Sequence, residues 1–162
     1  MKILALFAVI ILLSPAFTAS ADSLSGEFGL GFVFSSGSDI YLLRYRHFFD
    51  PLMGISTFGE AVFASWDGEN HSTAVGLAPG IQLKITPNQA VSITPGLTHI
   101  SRTTENLGQP FEFYGRVAYE RTIGKAILSI AYIHFSDAKF IFEWSGPNRG
   151  ENFVTLSIGM LF

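Results

Sequence analysis

His134 and Ser136 are the residues whose types and spacing best suit catalysis. They lie two apart in a segment with the alternation of a β-strand, so their side chains share one face and are neighbours. A serine hydroxyl beside an imidazole is the beginning of a nucleophile with its general base. Two polar residues at a membrane–water boundary would give the same pattern. Polar side chains that face lipid cost free energy, however, so two of them on a lipid-facing strand favour a functional role.

Both residues extend an outward row that begins with Leu128, Ile130 and Tyr132, on one of eight alternating segments. The predicted strands cover about 27–34, 39–48, 52–66, 74–85, 91–98, 111–120, 128–136 and 154–162. One face of each segment is apolar and the other carries mostly Gly, Ala, Ser and Thr, which is typical of transmembrane barrels. A soluble sandwich would also alternate, but its polar face would normally face water and be richly charged. A soluble lipocalin-like barrel is the alternative. We therefore predict an all-β fold, an eight-stranded antiparallel transmembrane β-barrel.

Composition narrows the function further. The 162 residues carry 14% charged residues, below the roughly 25% of soluble domains, and a net charge of −3. No basic surface for nucleic acid is present, and the absence of cysteine excludes a disulfide scaffold, a thiolate metal site and a cysteine nucleophile. His47, His71 and His99 lack metal-ligand spacing, so we predict no metal and no cofactor.

The first residues predict export. A single Lys2 precedes an apolar run over 3–13, and Ala19-Ser20-Ala21 forms a small-residue cleavage pattern, as in a secretory signal peptide. A membrane anchor is the alternative, but the run is shorter than the ~20 residues of a spanning helix. We predict a signal peptide over 1–21 and a barrel domain over 22–162.

The connections and the isolated charges predict how the barrel is arranged. Short connections follow strands two, four and six, and longer ones follow strands five and seven, so the longer set is predicted to face outward from the cell. Trp66 and Trp144 are expected in an aromatic belt near that end. The isolated charges are expected to form a network inside the barrel: Arg44, Arg46, Arg116, Glu60, Glu112 and Glu120.

The end of the chain resembles a known family. His134-Phe135-Ser136-Asp137-Ala138, followed by Pro147-Asn148-Arg149-Gly150-Glu151-Asn152, is similar to the motifs of the lipid A 3-O-deacylase family. Its members are eight-stranded outer-membrane barrels. The resemblance implies that Ser136 is the nucleophile and His134 the base, and that Asn148 stabilises the oxyanion.

Three positions depart from the family pattern. Asp137 replaces the usual Asn after the serine, and Arg149 replaces Pro in the loop. Ungapped spacing puts Asn152, rather than a glutamate, at the position of the residue that orients the histidine. Glu151 is the alternative third member if the loop slips by one residue, and Glu143 is a more remote one. Strand parity favours Asn152, which shares a face with the apolar side chains of strand eight.

The predicted function is an outer-membrane esterase that hydrolyses the 3-linked acyl ester of lipid A. Its expected partners are lipopolysaccharide and outer-membrane lipid, and a homodimer is considered. A non-enzymatic adhesin-like or structural barrel is the alternative, with a palmitoyltransferase barrel a distant third.

Overall fold

The structure, a computed structural model, describes residues 22–32, 37–53, 55–68, 71–137 and 149–162. The predicted signal peptide lies outside these residues. In the part of the chain that the structure describes, no helix combines the length and hydrophobicity needed to span a bilayer.

Eight antiparallel strands form a closed barrel in which each strand pairs with the next and β8 pairs with β1. This confirms the predicted fold. The strands are β1 (Ser23–Gly31), β2 (Asp39–Phe48), β3 (Ser56–Asp67), β4 (Ser72–Thr86), β5 (Gln89–Ile100), β6 (Phe111–Ile123), β7 (Ala126–Asp137) and β8 (Glu151–Leu161). The predicted first strand was wrong in its bounds, because small residues at its start gave a weak apolar signal. The third begins later than predicted, at Ser56.

The outer wall is apolar because successive strand residues alternate between the two faces. Tyr41, Leu43 and Tyr45 of β2 are exposed, whereas Arg44 and Arg46 between them are each 2% exposed. The same alternation runs along the other strands, which gives the barrel an apolar belt and a polar interior.

The interior holds a charge network that closes on itself. It contains three arginines (Arg44, Arg46, Arg116) and three glutamates (Glu27, Glu60, Glu120). Glu60 Oε2 accepts from Arg44 Nη1 at 2.9 Å and from Arg46 Nε at 2.7 Å, and the Tyr114 hydroxyl donates to its Oε1 at 3.1 Å. Equal numbers of both charges, bonded at short range, make this burial tolerable.

Two features of the interior differ from the sequence prediction. Glu27, which was not among the charges predicted for the network, joins it through an ion pair in which its Oε2 lies 2.7 Å from Arg44 Nε. Glu112 is buried, but its predicted place in the network was wrong: no ion pair of the described residues includes it, and it lies in register opposite Asp137 of β7.

Trp66 is not part of an aromatic belt. Its side chain is fully buried, with its ring centroid 5.2 Å from that of Phe135 and 6.2 Å from that of Phe153. The prediction was wrong because Trp66 has the inward parity of β3, and its ring packs against other aromatic side chains inside the barrel. Trp144 lies outside the described residues.

The two ends of the barrel differ in their connections. At one end, residues 87–88 and 124–125 form tight turns, and a longer segment over 49–55 joins β2 to β3. The other end carries the connections over 101–110 and 138–150, the longest in the chain. His134 and Ser136 lie at this second end, near the last residue of β7.

We expect Glu60→Ala to destabilise the barrel by about 3–5 kcal/mol, because it leaves Arg44 and Arg46 buried without a shared carboxylate. The measurement is the temperature at which the detergent-solubilised protein loses its heat-modifiable gel migration. Glu105→Ala, at an exposed loop residue, is the control and should leave this temperature unchanged. Equal behaviour of the two variants would contradict the structural role of the network.

Candidate active site

The site is built by the pairing of β7 with β8. His134 lies directly opposite Asn152 in the strand register, and both side chains are on the outer face of the barrel. His134 Nδ1 is 2.9 Å from Oδ1 of Asn152. Because residues directly opposite on one face of an antiparallel pair have neighbouring Cβ atoms, the contact follows from the register.

This contact selects the tautomer of the neutral imidazole. An amide oxygen only accepts hydrogen bonds, so Nδ1 of His134 donates and carries the hydrogen. In the neutral ring Nε2 is then the unprotonated nitrogen, the form that a general base requires. Ser136 occupies the next outward position on β7, and both residues are half-buried.

Glu151 lies on the opposite side of the wall. Its carboxylate is fully buried, and Oε1 accepts from Nδ2 of Asn106 at 3.0 Å and from the Thr104 hydroxyl at 3.5 Å. The structure therefore brings Asn152, not Glu151, to the imidazole of His134. Glu151 instead joins β8 to the connection between β5 and β6.

That connection braces the site from inside, a feature the sequence analysis did not find. The carbonyl oxygen of Asn106 accepts from the backbone N–H groups of Arg149 and Gly150, at 3.1 and 3.3 Å. The Gly108 N–H donates to Oδ1 of Asp137 at 3.1 Å. Residues 101–110 thus hold both the end of β7 and the start of β8, and we call this connection the brace. Asp137 faces inward and takes part in this brace.

Gly150 makes room for the histidine ring. Its φ of +75° lies in the left-handed region, and a Cβ there would come within 2.6 Å of His134 Cε1 and 3.0 Å of the Phe135 carbonyl oxygen. Glycine alone adopts this conformation without strain. The Gly in the sequence motif is the signal that could have indicated this contact.

Other predicted site residues are placed as follows. Asn148, the predicted oxyanion residue, and Glu143 lie outside the described residues. His47 Nδ1 contacts Asp22 Oδ1 at 2.8 Å near the other end of the barrel, where the Tyr45 hydroxyl also donates to Asp22. Within the described ranges, no group of three or more His, Cys, Asp or Glu side chains is arranged to hold a metal ion.

Comparisons with known proteins bear on both fold and family. No curated protein matches the chain. A solved structure, "Crystal structure of the outer membrane enzyme PagL", superposes with a TM-score of 0.73 at 18% identity, over 85% of this chain and 98% of that one. The sequence profile of lipid A 3-O-deacylase (PagL) matches residues 39–161, which include β2 to β8 and every residue of the candidate site. The chain therefore belongs to the lipid A 3-O-deacylase (PagL) family.

Proposed function

We propose that the chain is an outer-membrane lipid A 3-O-deacylase in which Ser136, His134 and Asn152 act together. The observation that carries the proposal is the contact between His134 Nδ1 and Asn152 Oδ1 on the outer wall, one outward position from Ser136. Family membership supports the substrate and the reaction class, and disfavours the non-enzymatic barrel and the palmitoyltransferase.

Each side chain has a defined part in the proposed reaction. Ser136 Oγ attacks the carbonyl carbon of the 3-linked ester while His134 Nε2 takes the hydroxyl proton. When the tetrahedral intermediate collapses, the bond to the sugar oxygen breaks, and His134 returns the proton to that oxygen. Water then attacks the acyl-enzyme with His134 again as base, which releases the fatty acid and restores the serine.

A neutral third member changes the energetics of this scheme. Asn152 orients the imidazole and selects its tautomer, but provides no negative charge to stabilise the imidazolium that forms. The imidazolium, however, is present during only part of the catalytic cycle. We infer that Asn152 contributes mainly by positioning His134.

The site is proposed to lie in the outer leaflet, where lipopolysaccharide is found. Support comes from its position at the barrel end with the longest connections, since barrels of this class have short periplasmic turns and longer external loops. The signal peptide over 1–21, the oxyanion role of Asn148 and a homodimer stay predictions. Crosslinking in intact outer membranes tests the homodimer.

Mass spectrometry of lipid A tests the function. Cells that make the protein should contain lipid A lacking one 3-linked acyl chain, and cells without it should not. Unchanged lipid A beside a correctly folded, membrane-inserted barrel would contradict the proposed reaction.

We expect Ser136→Ala and His134→Ala each to lower deacylation by about 10³-fold or more, because each removes a group that takes part in bond formation. Deacylation of purified lipopolysaccharide and heat-modifiable migration should be measured together. Ser65→Ala and His99→Ala are matched controls, since both residues face outward near the same end of the barrel. Full activity in the first pair would show that the assignment is wrong.

We expect Asn152→Ala to lower kcat by about 10- to 100-fold, because the lost hydrogen bond is one to an imidazole that becomes charged during the reaction, and hydrogen bonds to charged groups are the stronger ones. We expect Glu151→Gln to change kcat little. Glu151 touches the brace rather than His134, so its variant should chiefly lower barrel stability. Asn152→Asp keeps the shape, adds a charge and should preserve or raise activity. A severe kcat loss in Glu151→Gln beside a silent Asn152→Ala would instead make Glu151 the orienting acid.

A further inference from the structure

Asn152 has a second partner on the outer wall. The Tyr132 hydroxyl donates to the same Oδ1 atom at 2.7 Å, a distance typical of an O–H···O hydrogen bond. Tyr132 pairs with Val154 in the register, so its phenol reaches Asn152 diagonally across β7 and β8. Oδ1 of Asn152 therefore accepts from both a phenol and an imidazole.

Two other aromatic rings lie next to the Tyr132 ring. Its plane is nearly parallel to that of His134, with an interplanar angle of 11° and centroids 6.5 Å apart. Phe32, just beyond β1, packs on it with centroids 5.9 Å apart. The backbone N–H of Phe32 also donates to the Asn152 carbonyl oxygen at 3.1 Å. The phenol is thus fixed relative to the amide it contacts.

An asparagine needs such a partner more than a carboxylate does. Both oxygens of a carboxylate accept, so its rotation by 180° changes nothing at the histidine. Rotation of the Asn152 amide would put an NH₂ group against Nδ1 of His134. That group donates, so it would favour the tautomer with hydrogen on Nε2, which cannot accept the serine proton.

We propose that Tyr132 is a positioning residue that holds the amide oxygen of Asn152 toward His134 and so keeps Nε2 unprotonated. A phenol is a good hydrogen-bond donor, and on a lipid-facing wall its O–H finds little competing water. This inference rests on the proposed function and assigns to Tyr132 a part that the motif residues do not include.

The test is Tyr132→Phe, which removes the hydroxyl and keeps the ring. Its kcat for lipopolysaccharide deacylation should fall by about three- to tenfold, the usual range for one neutral hydrogen bond, with KM unchanged. In an Asn152→Asp background the same substitution should cost less than about twofold, because a carboxylate presents an acceptor in either orientation. Tyr119→Phe, at another outward-facing tyrosine, is the control and should match the parent protein.

A second readout does not depend on activity. Nitrogen-15 NMR of the detergent-solubilised protein at neutral pH should show hydrogen on Nδ1 of His134 in the parent and a mixture of tautomers in Tyr132→Phe. The resonance is identified by its loss in His134→Gln. If Tyr132→Phe kept the parent kcat and tautomer, the inference would be overturned while the proposed function stood.

Two other results are equally decisive. An undiminished kcat loss in the Asn152→Asp background would overturn the inference, since Tyr132 would then act elsewhere than on the amide. If the parent protein failed to deacylate lipopolysaccharide, the proposed function would fail separately. The tautomer would still test Tyr132: a shift in Tyr132→Phe supports the hydrogen bond, and no shift overturns it.

Discussion

The register between β7 and β8 is the constraint on which the candidate site depends. Because strand side chains alternate, a shift of one residue would turn Asn152 inward and bring Glu151 to the outer wall. Such a shift cannot be local in a closed barrel, since β8 also pairs with β1 along its length. The Phe32 N–H bound to the Asn152 carbonyl adds a contact from that side. Barrel closure therefore decides which side chain meets His134.

The interior supports this arrangement without taking part in the proposed chemistry. Near the site it is filled by Trp66, Phe135 and Phe153, and farther along by the arginine–glutamate network. Side chains of this size can fill an eight-stranded barrel. The residues over 101–110 add hydrogen bonds to both strands that carry the site. A rigid wall is what a site needs when its parts belong to two neighbouring strands.

Sequence periodicity predicted the strands well and the interior less well. Alternation gave the eight strands and the outward row of His134 and Ser136, since parity is a local property. The same parity favoured Asn152 over Glu151. Trp66 was misplaced because the preference of tryptophan for the membrane–water boundary was given more weight than its inward position in the alternation of β3. The brace at Asn106 could not be predicted, because it joins residues more than forty positions apart through loop backbone, which has no periodic signal.

The outward position of His134 and Ser136, the proposed catalytic residues, has a kinetic consequence. A substrate at this wall does not enter from water; it arrives sideways, by lateral diffusion within one leaflet. The fatty acid and the remaining lipid are both amphiphiles, so they leave into the same layer. Encounter frequency then follows the mole fraction of substrate in that layer. Adding inert lipid or detergent to the layer would slow turnover even when the bulk concentration of lipopolysaccharide is held constant.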